Sequence, residues 1–173
     1  MATREEWADA FALQARSDWA LYDRLSKLPG VPLCHQLHFL QMACEKIAKA
    51  YRARDTDMDV KEVTTHHVGF VKFVNAFFKS PGIRQDYEGK EAQLQVLAGH
   101  ARRIAAQVEK LAPAADRVAT PSNAEYPWEE AGCVVVPCEH DFPNLSLLRE
   151  AGGRNFLKMV RRAVFDFEAV RIH

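Results

Sequence analysis

The chain has 173 residues, 48% of them hydrophobic, and its 23 Lys+Arg balance 23 Asp+Glu. That length fits one domain, residues 1–173, able to bury roughly 70% of its unfolded surface. The charge balance excludes wholesale attraction to nucleic acid or membrane and leaves only a local basic patch open.

The opening Met-Ala-Thr-Arg-Glu-Glu lacks the apolar core of a signal peptide. The longest uncharged run, between Lys27 and Glu45, is too short and too polar to span a bilayer. A cytoplasmic protein without membrane contact is therefore expected, with Cys34, Cys44, Cys133 and Cys138 as reduced thiols. Cys34 and Cys44 share one predicted helix, about 15 Å apart, too far for a disulfide.

Thr3 and Glu6 have capping-box spacing, so a first helix starts at the N-terminus. Trp7, Phe11, Ala15, Trp19 and Tyr22 form its apolar stripe to an end near Leu28, and Ser17-Asp18 is a possible break. Pro29-Gly30-Val31-Pro32 stops it. The second helix buries Leu37, Leu40, Cys44, Ile47 and Tyr51, then gives way to a charged loop, 55–62, holding Asp55, Asp57 and Asp59. Thr64 or Thr65 is the expected cap of a third helix carrying Val68, Val71, Phe73, Val74, Phe77 and Phe78, closed by Ser80-Pro81-Gly82.

A long fourth helix runs from about 84 or 90 to Leu111, with Leu94, Leu97, Ile104, Val108 and Leu111 inward and Pro113 ending it. Residues 113–130 read as loop. Cys133 to Pro137 is the one β-like run, half of a short hairpin or an extended strap near 132–138. After a Gly152-Gly153 break, a last helix places Phe156, Val160, Val164, Phe167 and Val170 on one side. The fold class is all-α, about five main helices with one short β element. Leu40, Ile47, Phe70, Val74, Leu97, Ile104, Phe156 and Val160 are its expected core.

The order of "ARSDWALYDRL", "LHFLQMACEKIAKAY" and "TTHHVGFVKFV" resembles the HEPN superfamily of small helical bundles. His38, Gln41, Glu45, Lys46, Lys49 and Ala50 match its His-x-x-Gln-x-x-x-Glu-Lys-x-x-Lys-Ala helix, and Thr65 with His66 or His67 matches its Thr-His pair. "AEYPWE" at 124–129 is similar to its Arg-Tyr-Pro-type loop. The likeness is close over residues 15–75 and loose beyond. It implies a homodimer that binds a nucleotide, an RNA end or a protein partner, with a nucleotidyltransferase or defence-system component among possible partners. The family's ribonucleases carry an Arg followed four to six residues later by His. Here the nearest arrangement is the inverted "HARR", His100 to Arg103, and Arg162 stands too far before His173. A non-catalytic binding module is thus expected. The alternatives are a metal-independent ribonuclease using His100 and Arg103, and a structural protein without ligand.

Four groups are candidate sites. The row His38, Gln41, Glu45 and Lys49 reads first as a solvated face with an i,i+4 Glu45–Lys49 pair. Its functional reading is a buried network fixing a dimer or a neighbouring helix. His66-His67, at a helix start, offers unpaired amides for an anion. His100, Arg102 and Arg103 offer charged donors for a phosphate oxygen. Glu125, Tyr126 and Trp128 suit either stacking on a base or plugging the bundle. Cys133-x4-Cys138-x-His140 departs from zinc spacing, so neither metal nor cofactor is expected. No P-loop, dinucleotide fingerprint, nucleophile elbow or zinc-protease helix is present.

Overall fold

A computed structural model describes residues 2–55, 60–65, 69–112 and 115–168. Helix takes 69% of them. Five helices reach ten residues or more: α1 (Arg4–Leu25), α2 (Leu33–Ala53), α4 (Phe70–Lys79), α6 (Glu91–Glu109) and α7 (Ala151–Phe165). The one-turn helices α3 (Val60–Thr65) and α5 (Pro81–Asp86) punctuate them.

The Thr3 cap behaves as expected: its hydroxyl accepts from the Glu6 amide, and the Glu6 carboxylate accepts from Thr3 N–H at 2.6 Å. These bonds hold the Glu6 carboxyl below its usual range. The buried face of α1 differs from the predicted stripe. Ala8, Ala12, Ala15 and Trp19 point inward, while Trp7 is 37% exposed and stacks on Phe11 at its edge. Small residues let α1 lie close against α2, so the alanines rather than the flanking rings occupy the seam. Ser17-Asp18 does not break the helix, because buried Asp18 is held by Lys46 and Gln14. The helix ends at Leu25, short of Leu28, and the Pro29–Pro32 turn separates it from α2, with Gly30 at φ +78°.

α2 is the central element. Leu37, Leu40, Cys44, Ile47 and Tyr51 are buried as expected, and Ala43, Ala48, Ala50 and Ala53 are buried on its other sides. The Tyr51 hydroxyl donates to the Ala163 carbonyl at 3.2 Å, and burial drives its phenol well above the usual range. At the end of α2, Arg54 lies over the Phe167 ring at 3.5 Å and donates to the Phe167 carbonyl, fastening the chain beyond α7.

Of the charged loop expected at 55–62, residues 56–59 with Asp57 and Asp59 lie outside the described residues, as does Val68. The part from Val60 onward and the predicted Thr65 cap need correction. Helix α3 already begins at Val60, and Thr65 closes it, its hydroxyl donating back to the Lys61 carbonyl at 2.9 Å. The next helix starts only at Phe70. The predicted cap failed because a threonine can satisfy backbone on either side of a helix end. Phe70, Phe73, Val74 and Phe77 then enter the core as a chain of ring contacts. Ile104, Phe156 and Val160 are buried as expected, whereas Leu97 is only half-buried because it borders a surface cleft.

Residues 113–130 are not wholly loop. β1 (Trp128–Glu130) pairs antiparallel with β2 (Cys133–Val135), in the register Trp128↔Val135 and Glu130↔Cys133. Ala131 and Gly132 form the two-residue turn with φ of +51° and +79°. Both positive values match the mirror-image turn whose twist suits a hairpin, but Ala-Gly lacks the usual Asn-Gly signal. Arg117 organises the preceding loop, donating to the carbonyls of Leu111, Ala112 and Ser122. A 3-10 turn, Pro137–Glu139, follows the hairpin, and a second, Pro143–Arg149, leads into α7.

Gly152 and Gly153 do not break the chain but lie in the first turn of α7. A Cβ at Gly153 would stand 2.3 Å from the Leu147 carbonyl oxygen, so glycine permits that close approach. Val170 lies outside the described residues. One cluster of buried apolar residues runs from Ala8 to Phe167.

Candidate functional site

The α2 polar row is not a wet face. Gln41 and Lys49 are 3% and 6% exposed. Gln41 Nε2 donates to Glu45 Oε2 at 2.9 Å, and Lys49 Nζ stands 3.1 Å from Glu45 Oε1. The Lys49 ammonium also faces the Phe11 ring of α1 at 5.7 Å. One turn away, Lys46 Nζ meets Asp18 Oδ2 at 2.5 Å across the seam, and Gln14 Nε2 donates to the other Asp18 oxygen at 3.2 Å. The solvated-face reading is corrected on this point. Charges placed between packed helices must be paired, and here they are.

At the start of the row, His38 Nδ1 lies 3.2 Å from Glu125 Oε1, tying the loop to α2. Glu125 also acts on Arg117, whose pKa burial lowers and Glu125 partly restores. Of the remaining loop candidates, Trp128 is buried and stands edge-on to His140, while Tyr126 is 67% exposed. The loop thus plugs with one aromatic and offers the other to solvent. Cys133 and Cys138 are exposed and His140 is sandwiched between Trp128 and Phe142. Among the described residues no three His, Cys, Asp or Glu side chains gather as metal ligands.

His66 and His67 lie outside the described residues. The nearest described helix start is that of α4, and its amides are engaged: Gly69 and Phe70 N–H both donate to Glu109 Oε1, the latter at 3.1 Å. A carboxylate from α6 therefore occupies the position in which an anion would complement the helix dipole.

The His100, Arg102 and Arg103 group divides. Successive helical residues turn by about 100°, so Arg102 points roughly opposite to His100. His100 packs toward α7, where a Cβ on Gly152 would come 2.9 Å from its Nδ1. Arg103 is exposed on that same side. Arg102 instead faces α4, its Nε donating to Asn75 Oδ1 at 2.6 Å.

Beside Arg102 opens a cleft of about 640 Å³ between the end of α4, α5 and α6. Lys79, Arg84 and Arg102 line it with two carboxylates, Glu88 and Glu91, the Phe78 and Tyr87 rings and apolar Leu94 and Ala98. The Glu91 carboxylate accepts from its own backbone amide and from the Gly89 amide, the latter at 2.9 Å, which holds it below the usual range and closes the turn before α6. Asn75 occupies one of the five guanidinium N–H donors of Arg102, and no described carboxylate pairs with it. Volume, aromatic walls and converging cations are the attributes of a small-ligand site, with the cations suited to an anionic group.

Sequence reading identified Arg102 but missed Lys79, Arg84 and Tyr87. Their segment, 79–90, carries turn signals and no periodicity, and their convergence depends on how α5 folds back beside α6. Comparison with family models, curated proteins and solved structures gives no match.

Proposed function

We propose that this chain is a HEPN-like helical module, working as a homodimer, that binds a nucleotide or an RNA end in the α4–α6 cleft without cleaving it. The observation that carries the ligand class is the meeting of Arg102 with Lys79 and Arg84 beside the Tyr87 and Phe78 rings. Guanidinium and ammonium groups attract a phosphate, and an aromatic wall accommodates a base. The helix order and the α2 row support the family reading. Binding without turnover is favoured because no described histidine lines this cleft to act as an imidazole general base for a 2′-hydroxyl.

Fluorescence anisotropy with labelled mononucleotides and a 5′-phosphorylated oligoribonucleotide tests the reading. Arg102→Ala should weaken binding about tenfold, the equivalent of one interaction near 1.4 kcal/mol. Affinity should fall as salt rises. Unchanged binding in the variant would remove the cleft. Cleavage of labelled RNA by the wild type, lost on joint His100→Ala and Arg103→Ala replacement, would establish the ribonuclease alternative instead.

A further inference from the structure

Next to the α4–α6 cleft lies a second cavity of about 190 Å³, bounded by α4, α5, α6 and α7. Phe78 and Tyr87 line both spaces, so the two adjoin at these rings. The interior of the second is apolar, with buried Phe77, Ile83, Phe156 and Met159 supplied by three helices. Its polar groups come from one face of α7, where Asn155, Lys158 and Arg162 recur at steps of three and four. Arg162 Nη1 donates to Asp86 Oδ2 at 2.5 Å, pinning the end of α5 to α7, so its charge is matched. Lys158 and Asn155 are exposed, and no described carboxylate pairs with Lys158. Cations therefore stand on both sides of the ring wall, Lys79, Arg84 and Arg102 on one and Lys158 on the other.

We infer that the ligand is an RNA end at least two nucleotides long rather than a free mononucleotide; this rests on the nucleotide-binding reading above and extends it. Cation, ring, apolar pocket and cation follow one another here as phosphate and base alternate along a single strand. The 5′-terminal phosphate sits with Arg102, Lys79 and Arg84, and the first base stacks on Tyr87. The chain crosses the ring wall and the second base enters the apolar cavity, whose few polar groups lie on one side. Lys158 meets the joining phosphodiester, whose oxygens also accept from the Asn155 amide. A lone mononucleotide fills the first space and leaves the second empty.

Anisotropy competition on the full chain tests this with three probes: a 5′-mononucleotide, a 5′-phosphorylated diribonucleotide, and that dinucleotide with an abasic second residue. The intact dinucleotide should bind about tenfold tighter than the mononucleotide, the order of one stacked base, and the abasic one should lose most of that gain. Lys158→Ala, at an exposed position, should reduce the gain and leave mononucleotide affinity unchanged, while Arg102→Ala weakens both. Equal affinity for mononucleotide and dinucleotide, with the Arg102 dependence intact, would overturn this inference alone. So would a Lys158→Ala loss of the same size for both, or an abasic probe as tight as the intact one. Binding of both probes indifferent to Arg102→Ala would remove the cleft, and the two-nucleotide site with it.

Discussion

The α1–α2 seam and the α4–α6 cleft place charged side chains in opposite circumstances. In the seam, Asp18 meets Lys46 at 2.5 Å and Glu45 meets Lys49 at 3.1 Å, with Gln14 and Gln41 supplying further bonds. In the cleft, Arg102 donates to the neutral Asn75 amide, and Lys79, Arg84, Glu88 and Glu91 stand exposed around it. Desolvation explains the contrast. Buried charge persists where each member is paired and hydrogen-bonded, whereas side chains lining a surface cleft keep their charges at the solvent boundary without that requirement.

The strongest way to break this comparison is to strand one member of the seam. Lys46→Met should cost about 3 kcal/mol by leaving Asp18 buried without its cation, the low end for a broken buried pair. Joint Asp18→Leu and Lys46→Met replacement should recover much of that loss. Urea unfolding measures both, and a Lys46→Met loss under about half a kcal/mol would return the seam to an ordinary surface. Ile47→Ala, a purely apolar change on the same helix, should cost about 2–5 kcal/mol and provides the scale for the seam variants.

Arg102→Ala sharpens the other half of the comparison. Its unfolding free energy should stay within about 0.5 kcal/mol of wild type, as for a surface substitution, while nucleotide affinity drops. An equal loss of stability would make Arg102 a structural residue. His38→Ala, which releases a partly exposed contact to Glu125, should cost less than about 1 kcal/mol in the same unfolding assay.

Alkaline pH provides a further check on burial. Burial lifts the Tyr22 phenol from its usual 10 to about 12. The unfolded chain therefore releases this proton first. The stability it protects is complete below pH 10 and declines as pH rises from about 10 through 12. Ultraviolet difference titration should show a phenol ionising late in the native protein, and ionisation near 10 for every tyrosine would place Tyr22 in solvent.

Much of the helix layout was legible in the residues. The Thr3–Glu6 box, the Pro29–Pro32 stop and the Leu37-to-Tyr51 stripe each work through neighbours three or four positions away, so local chemistry suffices. The Thr65 cap failed because its hydroxyl turned back to Lys61, and β1 was missed because Ala131-Gly132 carries little turn signal. At the candidate site, Arg102 was singled out with His100 and Arg103; helical spacing sets it opposite His100, but only the fold supplies the Asn75 and α5 neighbours it meets there.

By itself, then, the sequence determined an all-α chain, the central place of α2 and most of the core, since apolar periodicity is a short-range pattern. Tertiary structure alone decided that Gln41 and Lys49 are buried, that Glu109 occupies the start of α4, and that Lys79, Arg84 and Arg102 share a cleft. Those outcomes join residues tens of positions apart. Solvent access and charge pairing between such groups exist only once the helices have packed.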